Sequence, residues 1–497
     1  MISVIQNRKN EFFLFTFLFI AIVFFLDYQS IFFLKPRSFH FIRQTDSLSF
    51  INYYLKTGLN FFNIGNLNLY NGSGKTACEF PLLYYIAALI SKIGVDGFLI
   101  LKAIYLIIFF LTSYLIYNFL RKSFCIVNSM SLTFLLFSST IVLYYTLNYV
   151  PNYPSLCFTL IGLIYFLSYL ESANSKEGYI SCLFFLVAGL LKVTFTLYPV
   201  GCFIFLFFYF LKNRKINYTI VASFSLIFLL LILWNFFMVH YNKTNNANYY
   251  LTSIAPLWNT SDAERSEVLG FIFNYWLYKY YYQSTIHIFF IILIVSCFFY
   301  KKINLKHFVL SILFLFGVSC YFILFFKQFR DHDYYFMEFI PFFFIVFINS
   351  YSTITQIIPD TKQIRFLVSF SLLIITFLSL NYGKLNLTRR YEKPFEQVSK
   401  IAYVLEDVER KLDSIGISKD AKFLVAPDYT MNGSLYYLNR FGYTIGDTSN
   451  FNLVNYYEKS DYILITDSTY SNAMTKKFKL MNCLLSYRGS SLFKIVQ

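Results

Sequence analysis

The sequence predicts an α-helical polytopic membrane protein with about eleven transmembrane helices and a small C-terminal α/β domain outside the membrane. Three observations predict it. The apolar residues, 57% of the chain, come in long blocks such as Phe12 to Phe25 and Ile220 to Trp234. A soluble helix would alternate apolar and polar faces, whereas these blocks suit a hydrocarbon core that takes about 20 helical residues to cross. Basic residues recur at the block ends, and from about Lys384 the chain turns to frequent charges and short strand-like runs.

Taken in order, the expected crossings are 11–34, 98–119, 126–147, 155–170, 179–191, 195–211, 218–239, 286–300, 308–326, 338–357 and 366–382. The fifth and sixth could be fused into one long helix, but charge argues for two. With the N-terminus inside, the inner segments carry Arg121-Lys122, Lys212-Asn213-Arg214-Lys215, Lys301-Lys302 with Lys306, and Lys362 with Arg365. That is the bias expected of short cytoplasmic loops. The outer side then receives the loop 35–97, the turn Asn148 to Pro154, the loop 240–285 and the stretch 327–335. Arg8 and Lys9 precede the first block without a convincing cleavage site after it, so a retained signal-anchor helix is expected.

The first 383 residues are thus read as the transmembrane domain, with first outer loop 35–97, and residues 384–497 as the extracytoplasmic α/β domain. Strands are expected at Phe423 to Val425, Tyr462 to Ile465 and Ser490 to Val496, with helices at Glu396 to Leu412 and Ser434 to Tyr437. The formal charge of +16 does not imply nucleic acid, because the basic residues mark helix ends and not a solvated face. Eight cysteines, scattered and mostly within apolar segments, form no CxxC pair and no zinc spacing. No internal repeat of the transporter kind is visible.

The chemistry is expected in the outer loops. Arg43-Gln44-Thr45-Asp46 opens a helical stretch that runs to Tyr54, and a carboxylate on a short helix at the membrane surface can accept a proton from a hydroxyl. The bland alternative for Asp46 is a loop acid or a helix cap. Glu79 precedes Phe80-Pro81, with Pro81 suited to the first turn of an amphipathic or re-entrant helix. An acid near the interface needs a partner there. Lys192 stands between two apolar segments with no nearby acid in sequence, so it either snorkels to the headgroups or holds a phosphate. The cluster from Lys327 to Tyr335 runs against the inside bias. Its Arg330 and His332 either cradle a phosphate leaving group or form a turn in which Asp331 or Asp333 neutralises Arg330. Gly74-Lys75-Thr76 is not a P-loop, since Leu69 stands where the earlier glycine is required.

The order RQTD, EFPLLYY, a Pro151-Asn152 turn, the lone lysine of GLLKVT, and HDYY before a proline-containing helix resembles the GT-C membrane glycosyltransferases. That superfamily includes the protein O-mannosyltransferases and the lipid A aminoarabinose transferases. The resemblance is nearest to bacterial members grouped with rhizobial lipopolysaccharide sugar transferases, and it covers about residues 11 to 350. It implies transfer of a sugar from a polyprenyl-phosphate donor to a glycolipid, polysaccharide or protein acceptor, with inversion, on the outer face of a bacterial inner membrane. It implies Asp46 as the catalytic base, Lys192 beside the carrier phosphate, and His332 and Tyr335 near the lipid phosphate, where the residue reading also places Arg330. Arg43, Gln44, Glu79 and Asn152 are expected around the substrate cavity.

The departures from the family also matter. Asp46 is followed by Ser47 where many members have an acidic pair, Asn152 stands where aspartate is frequent, and Glu79 where some relatives carry lysine. No metal ligand set is identified, and these differences leave a divalent metal and a second catalytic carboxylate open. The competing classes are a lipid-linked glycan flippase, expected to carry charges in mid-crossing, and an O-antigen polymerase or ligase, expected to have its rich loop late in the chain.

Overall fold

The computed structural model describes residues 2–213, 217–250, 254–359, 361–392, 397–446, 452–467, 470 and 480–495. Seven of the described helices are long and apolar enough to cross a membrane: Gly97–Leu120, Asn152–Ser172, Val193–Lys212, Tyr218–Thr244, Leu305–Leu324, Asp333–Thr355 and Lys362–Glu392. An eighth span is formed if Asp262–Tyr280 and Gln283–Phe298, bent by 95°, are taken together. The chain is a multi-pass membrane protein.

The remaining expected crossings are also helical but shorter or broken. The first ends at Phe25, because Asp27 turns left-handed at φ 59° and its carboxylate accepts from Gln29 and Ser30, both at 2.7 Å. The third is divided into Ile126–Phe137 and Thr140–Tyr145. At that break Ser138 meets Ser379 of the last long helix at 2.7 Å, where Gly383 permits close approach: a Cβ on it would lie 2.9 Å from the Ser138 carbonyl. The fifth and sixth are two helices, Ser175–Leu191 and Leu197–Asn213, parted at Lys192 by an extended residue and a short 3-10 turn.

Contacts between loops show that the chain shuttles between two ends. At one end Arg121 pairs with Glu11 at 2.9 Å, Lys122 reaches Ser168, Lys306 donates to the Leu170 carbonyl at 2.6 Å, and Lys302 donates to that of Gln356. Asn217 bonds Ser175 at the same end, whereas Arg214 and Lys215 lie outside the described residues. The other end carries the helix Phe41–Thr57, the short helix Leu82–Ser91, the segments near 148–152, 245–282 and 326–339, and the C-terminal domain.

That domain has a five-stranded sheet of order β2-β1-β3-β5-β4, from β1 Phe423–Ala426, β2 Gly442–Thr444, β3 Tyr462–Ile465, β4 Leu480–Tyr487 and β5 Ser490–Ile495. β1 runs parallel to β2 and β3, while β5 is antiparallel to β3 and β4. The expected Glu396 to Leu412 helix is divided into Lys400–Val404 and Val408–Ser414, where Asp407 adopts φ 64°. Residue 384 falls inside the helix Lys362–Glu392, which runs unbroken into the domain. The first outer loop docks on the sheet edge. Leu69 N donates to Gly442 O at 2.8 Å and Gly442 N donates to Leu67 O at 3.2 Å, while Tyr437 donates to Pro36 O at 2.6 Å.

Candidate active site

The helix Phe41–Thr57 is unusual in burying polar side chains: Thr45, Ser47 and Ser49 are wholly enclosed and Asp46 is 3% exposed. A buried carboxylate is tolerated only with partners. Asp46 has them from two remote segments. Asn432 Nδ2 of the C-terminal domain donates to Oδ1 at 2.8 Å, and the Tyr249 hydroxyl donates to Oδ2 at 3.0 Å. Burial pushes the Asp46 carboxyl up to about 6, opposed by those two donors and by the Arg43 charge. An acid so placed changes protonation near neutral pH, where a general base works best.

One turn earlier on the same helix, Arg43 Nη2 pairs with Glu79 Oε1 at 2.6 Å. This is the partner that Glu79 was expected to need. Against its own burial, the Arg43 charge and hydrogen bonds from neighbours, including Tyr84, hold Glu79 down at about 2. Tyr84 also reaches Ser47 at 3.1 Å, so the pair is fastened to the Asp46 helix. The backbone then carries the site toward Lys192, because Phe80 N donates to Leu190 O at 3.2 Å.

Lys192 occupies the break between two helices, with backbone angles φ −151° and ψ 107°. Its ammonium lies 5.2 Å from the ring centroid of Tyr335, a cation–π contact. Tyr335 in turn stacks on His332 at 5.7 Å and on Tyr321 at 6.2 Å. Burial, reinforced by His40 and then countered by nearby acids, lowers His332 to about 4, so its ring is neutral at physiological pH. Its Nδ1 is buried with no partner among the described residues. Beside these groups, Glu338 is wholly buried: Oε1 accepts from Asn152 Nδ2 at 2.9 Å and Thr194 Oγ1 at 2.6 Å, while Oε2 has no partner there.

A third cluster closes this wall. Asp333 is fully buried and pairs with Arg390 Nη2 at 2.5 Å; it also accepts from Tyr145 at 2.6 Å and lies 3.2 Å from His40 Nε2. His40 packs against Tyr334 and His332 at centroid distances of 5.0 and 5.4 Å.

Of the residues singled out from sequence, Asp46, Arg43 and Glu79 form one group, and Lys192, His332, Tyr335 and Asn152 form the adjoining one. Gln44 faces the backbone instead: its amide donates to Arg37 O and Phe39 O at 3.0 and 2.8 Å and fixes the loop entering the helix. Arg330 forms the ion-paired turn, with both Asp331 oxygens at 2.9 Å and Glu267 at 3.4 Å. Asp333 does not neutralise it.

Sequence reasoning missed Asn432, Tyr249, Glu338, Arg390 and His40. A lone acid inside an apolar run was a readable signal for Glu338. Arg390 falls within the segment read from sequence as the soluble domain beginning at about Lys384, and nothing local marks Asn432. Among the described residues no cluster of three metal-ligating side chains occurs. Asp46, held by an amide and a phenol, and Glu79, held by a guanidinium, do not fit a divalent ion.

Below the third cluster an apolar cavity of about 170 Å³ lies between helices, walled by Tyr280, Tyr281, Phe289, Phe336, Phe343 and Leu372. Tyr280 stacks on Phe336 at 3.9 Å at its upper edge.

No family model matches the sequence, and no curated protein does. Solved structures do match. ArnT from Cupriavidus metallidurans in the apo state aligns at 9% identity and TM-score 0.58, over 97% of this chain and 98% of that one. The same protein bound to undecaprenyl phosphate aligns at 11% identity and TM-score 0.61, with the same coverage. The archaeal oligosaccharyltransferase AglB from Archaeoglobus fulgidus, in complex with an inhibitory peptide and a dolichol-phosphate, aligns at 11% identity and TM-score 0.50, over 92% of this chain and 70% of that one.

Proposed function

We propose that this chain, built on the fold of the GT-C membrane glycosyltransferases, transfers a sugar from a polyprenyl-phosphate donor to a cell-envelope acceptor with inversion. One observation carries the reading: a buried carboxylate poised near neutral pH stands at one end of a helical bundle, next to a wall bearing a lysine and a neutral histidine. In this reaction the acceptor oxygen attacks the anomeric carbon from the face opposite the phosphate. The bond from that carbon to the phosphate oxygen breaks, the phosphate leaves with the electron pair, and Asp46 takes the acceptor proton.

Lys192 meets the charge that grows on the departing phosphate, and an ammonium fixed before the reaction costs no reorganisation as that charge develops. The neutral His332 ring and the Tyr335 hydroxyl add hydrogen bonds. Arg330, spent on Asp331 and Glu267, contributes only its field from the rim. Arg43, Glu79 and Asn152 border the sugar. The apolar cavity suits an isoprenoid tail of the kind carried by the undecaprenyl phosphate bound to ArnT. The site end is assigned to the extracytoplasmic side, because the opposite end gathers the basic loops.

The test is transfer by the purified full-length protein from radiolabelled polyprenyl-phosphate sugars. Asp46→Asn is expected to lower kcat by about 10²- to 10⁴-fold, the usual contribution of a general base. Transfer at the wild-type rate by this variant would overturn the assignment of the base, and lipid translocation without transfer would favour a flippase.

A further inference from the structure

Next to Tyr249, whose hydroxyl touches Asp46, lies a second cavity of about 230 Å³. Three remote segments build it: residues 66–76 of the first outer loop, residues 246–249, and Met431 of the C-terminal domain. We propose that this cleft is the acceptor subsite and that it recognises an uncharged carbohydrate, an inference that rests on the transferase reading above.

The lining is the first argument. None of the described residues that line the cleft carries a formal charge, although the chain as a whole is strongly basic. Lys75 lies on the same loop but does not line it. A phosphorylated or carboxylated acceptor would be met by arginine or lysine. Here five asparagines line the space instead.

The second argument is what those amides do. Asn68 and Asn71 are engaged with the protein itself: Asn68 donates to Met431 O at 2.8 Å and Asn71 to Lys75 O at 2.7 Å, and both accept from backbone amides. They shape the cleft. Asn246 and Asn248 are exposed at the cleft, and the Thr76 hydroxyl, in a residue 4% exposed, is buried without a partner among the described residues. Amides and hydroxyls that both donate and accept match the hydroxyls of a sugar. The rings of Tyr70 and Tyr249 supply apolar faces for its C–H surfaces.

Position is the third argument. Tyr249 lines the cleft and its hydroxyl touches Asp46 Oδ2, while Met431 is the neighbour of Asn432, which touches Oδ1. Asn432 Oδ1 is itself buried without a partner among the described residues. A sugar hydroxyl at the inner end of the cleft would thus arrive at the base.

The experiment uses the full-length protein in lipid nanodiscs and saturation-transfer NMR with three probes. These are a pool of neutral gluco-, manno- and galacto-oligosaccharides, a phosphorylated glucosamine disaccharide, and an acidic peptide. The neutral pool is expected to bind, and Thr76→Val and Asn248→Ala each to weaken it about five-fold, the worth of one neutral hydrogen bond. Thr76→Val is isosteric and removes only an unpaired hydroxyl, so without a ligand role it would leave neutral binding unchanged and the thermal midpoint unchanged or raised. Absence of neutral binding, binding untouched by both variants, or tighter binding of either charged probe overturns the proposal. Undecaprenyl-phosphate binding and transfer are measured in parallel: absence of both in the wild-type protein would sink the transferase reading and not the neutral-sugar cleft, whereas undiminished transfer by Asp46→Asn would overturn only the assignment of the base.

Discussion

At the scale of single residues, the behaviour of Asp46 is set by two donors that arrive from far along the chain. Both hydrogen bonds favour the charged carboxylate, whereas burial opposes it. As the proposed base, Asp46 must be ionised to act, so kcat/KM is expected to be level above about pH 6 and to fall about tenfold per pH unit below it. Asn432→Ala removes a donor to the charged form, which raises the carboxyl further and moves this acid limb to higher pH. A pH–rate profile of the variant checks the direction, and a limb that stays in place would mean that Asn432 does not tune the base. Lys192→Ala tests the phosphate. One charge-assisted hydrogen bond is worth about 1.5–3 kcal/mol, so donor KM is expected to rise about 10- to 100-fold with expression unchanged. An unaltered donor KM would return Lys192 to the headgroup-anchoring role.

At the scale of elements, interruptions decide where chemistry sits. A continuous helix from 175 to 213 would satisfy its own backbone and present Lys192 to lipid, whereas the extended residue and 3-10 turn hold it beside Tyr335. The third crossing is interrupted too, and Thr140–Tyr145 brings Tyr145 to Asp333. The helix Gly433–Leu438 packs on Phe41–Thr57 through Gly433, where a Cβ would lie 2.8 Å from the Phe41 ring as well as against Thr430. Gly433→Ala is therefore expected to overpack this contact by about 1–3 kcal/mol. It should lower the thermal midpoint and also impair transfer, because Gly433 directly follows Asn432 in the chain and a shift there moves the donor to Asp46. Full activity with an unchanged midpoint would show that the two helices yield without cost.

For the whole molecule, the arrangement is one of two unlike ends. The basic loops gather at one, and the buried acids, the aromatic wall and the C-terminal domain at the other. The domain completes the site, since Asn432 and Met431 belong to it and its sheet edge pairs with the first outer loop. Two native cysteines report the sidedness. Cys483 is exposed on β4, and Cys125 is exposed at the opposite, basic end. In single-cysteine variants, a membrane-impermeant maleimide is expected to label Cys483 on intact cells and Cys125 only after permeabilisation. The reverse pattern would place the site inside.

The amino-acid sequence by itself determined the bundle, the break at Lys192, most strands of the terminal domain, and the candidacy of Asp46, Lys192 and His332, whereas Tyr335 entered only through the family resemblance. Each of these rests on a local property: apolar run length, charge at helix ends, alternation, or a polar residue where lipid makes it costly. Only the tertiary structure decided which charges meet. Asp331 and Asp333 are two residues apart, yet one stays with Arg330 at the surface and the other crosses to Arg390 in the interior. Asp46 and Asn432 are separated by 386 positions and share a hydrogen bond. Ion pairs and hydrogen bonds act over a few ångströms between side chains that folding brings together, and no periodicity along the chain encodes that proximity.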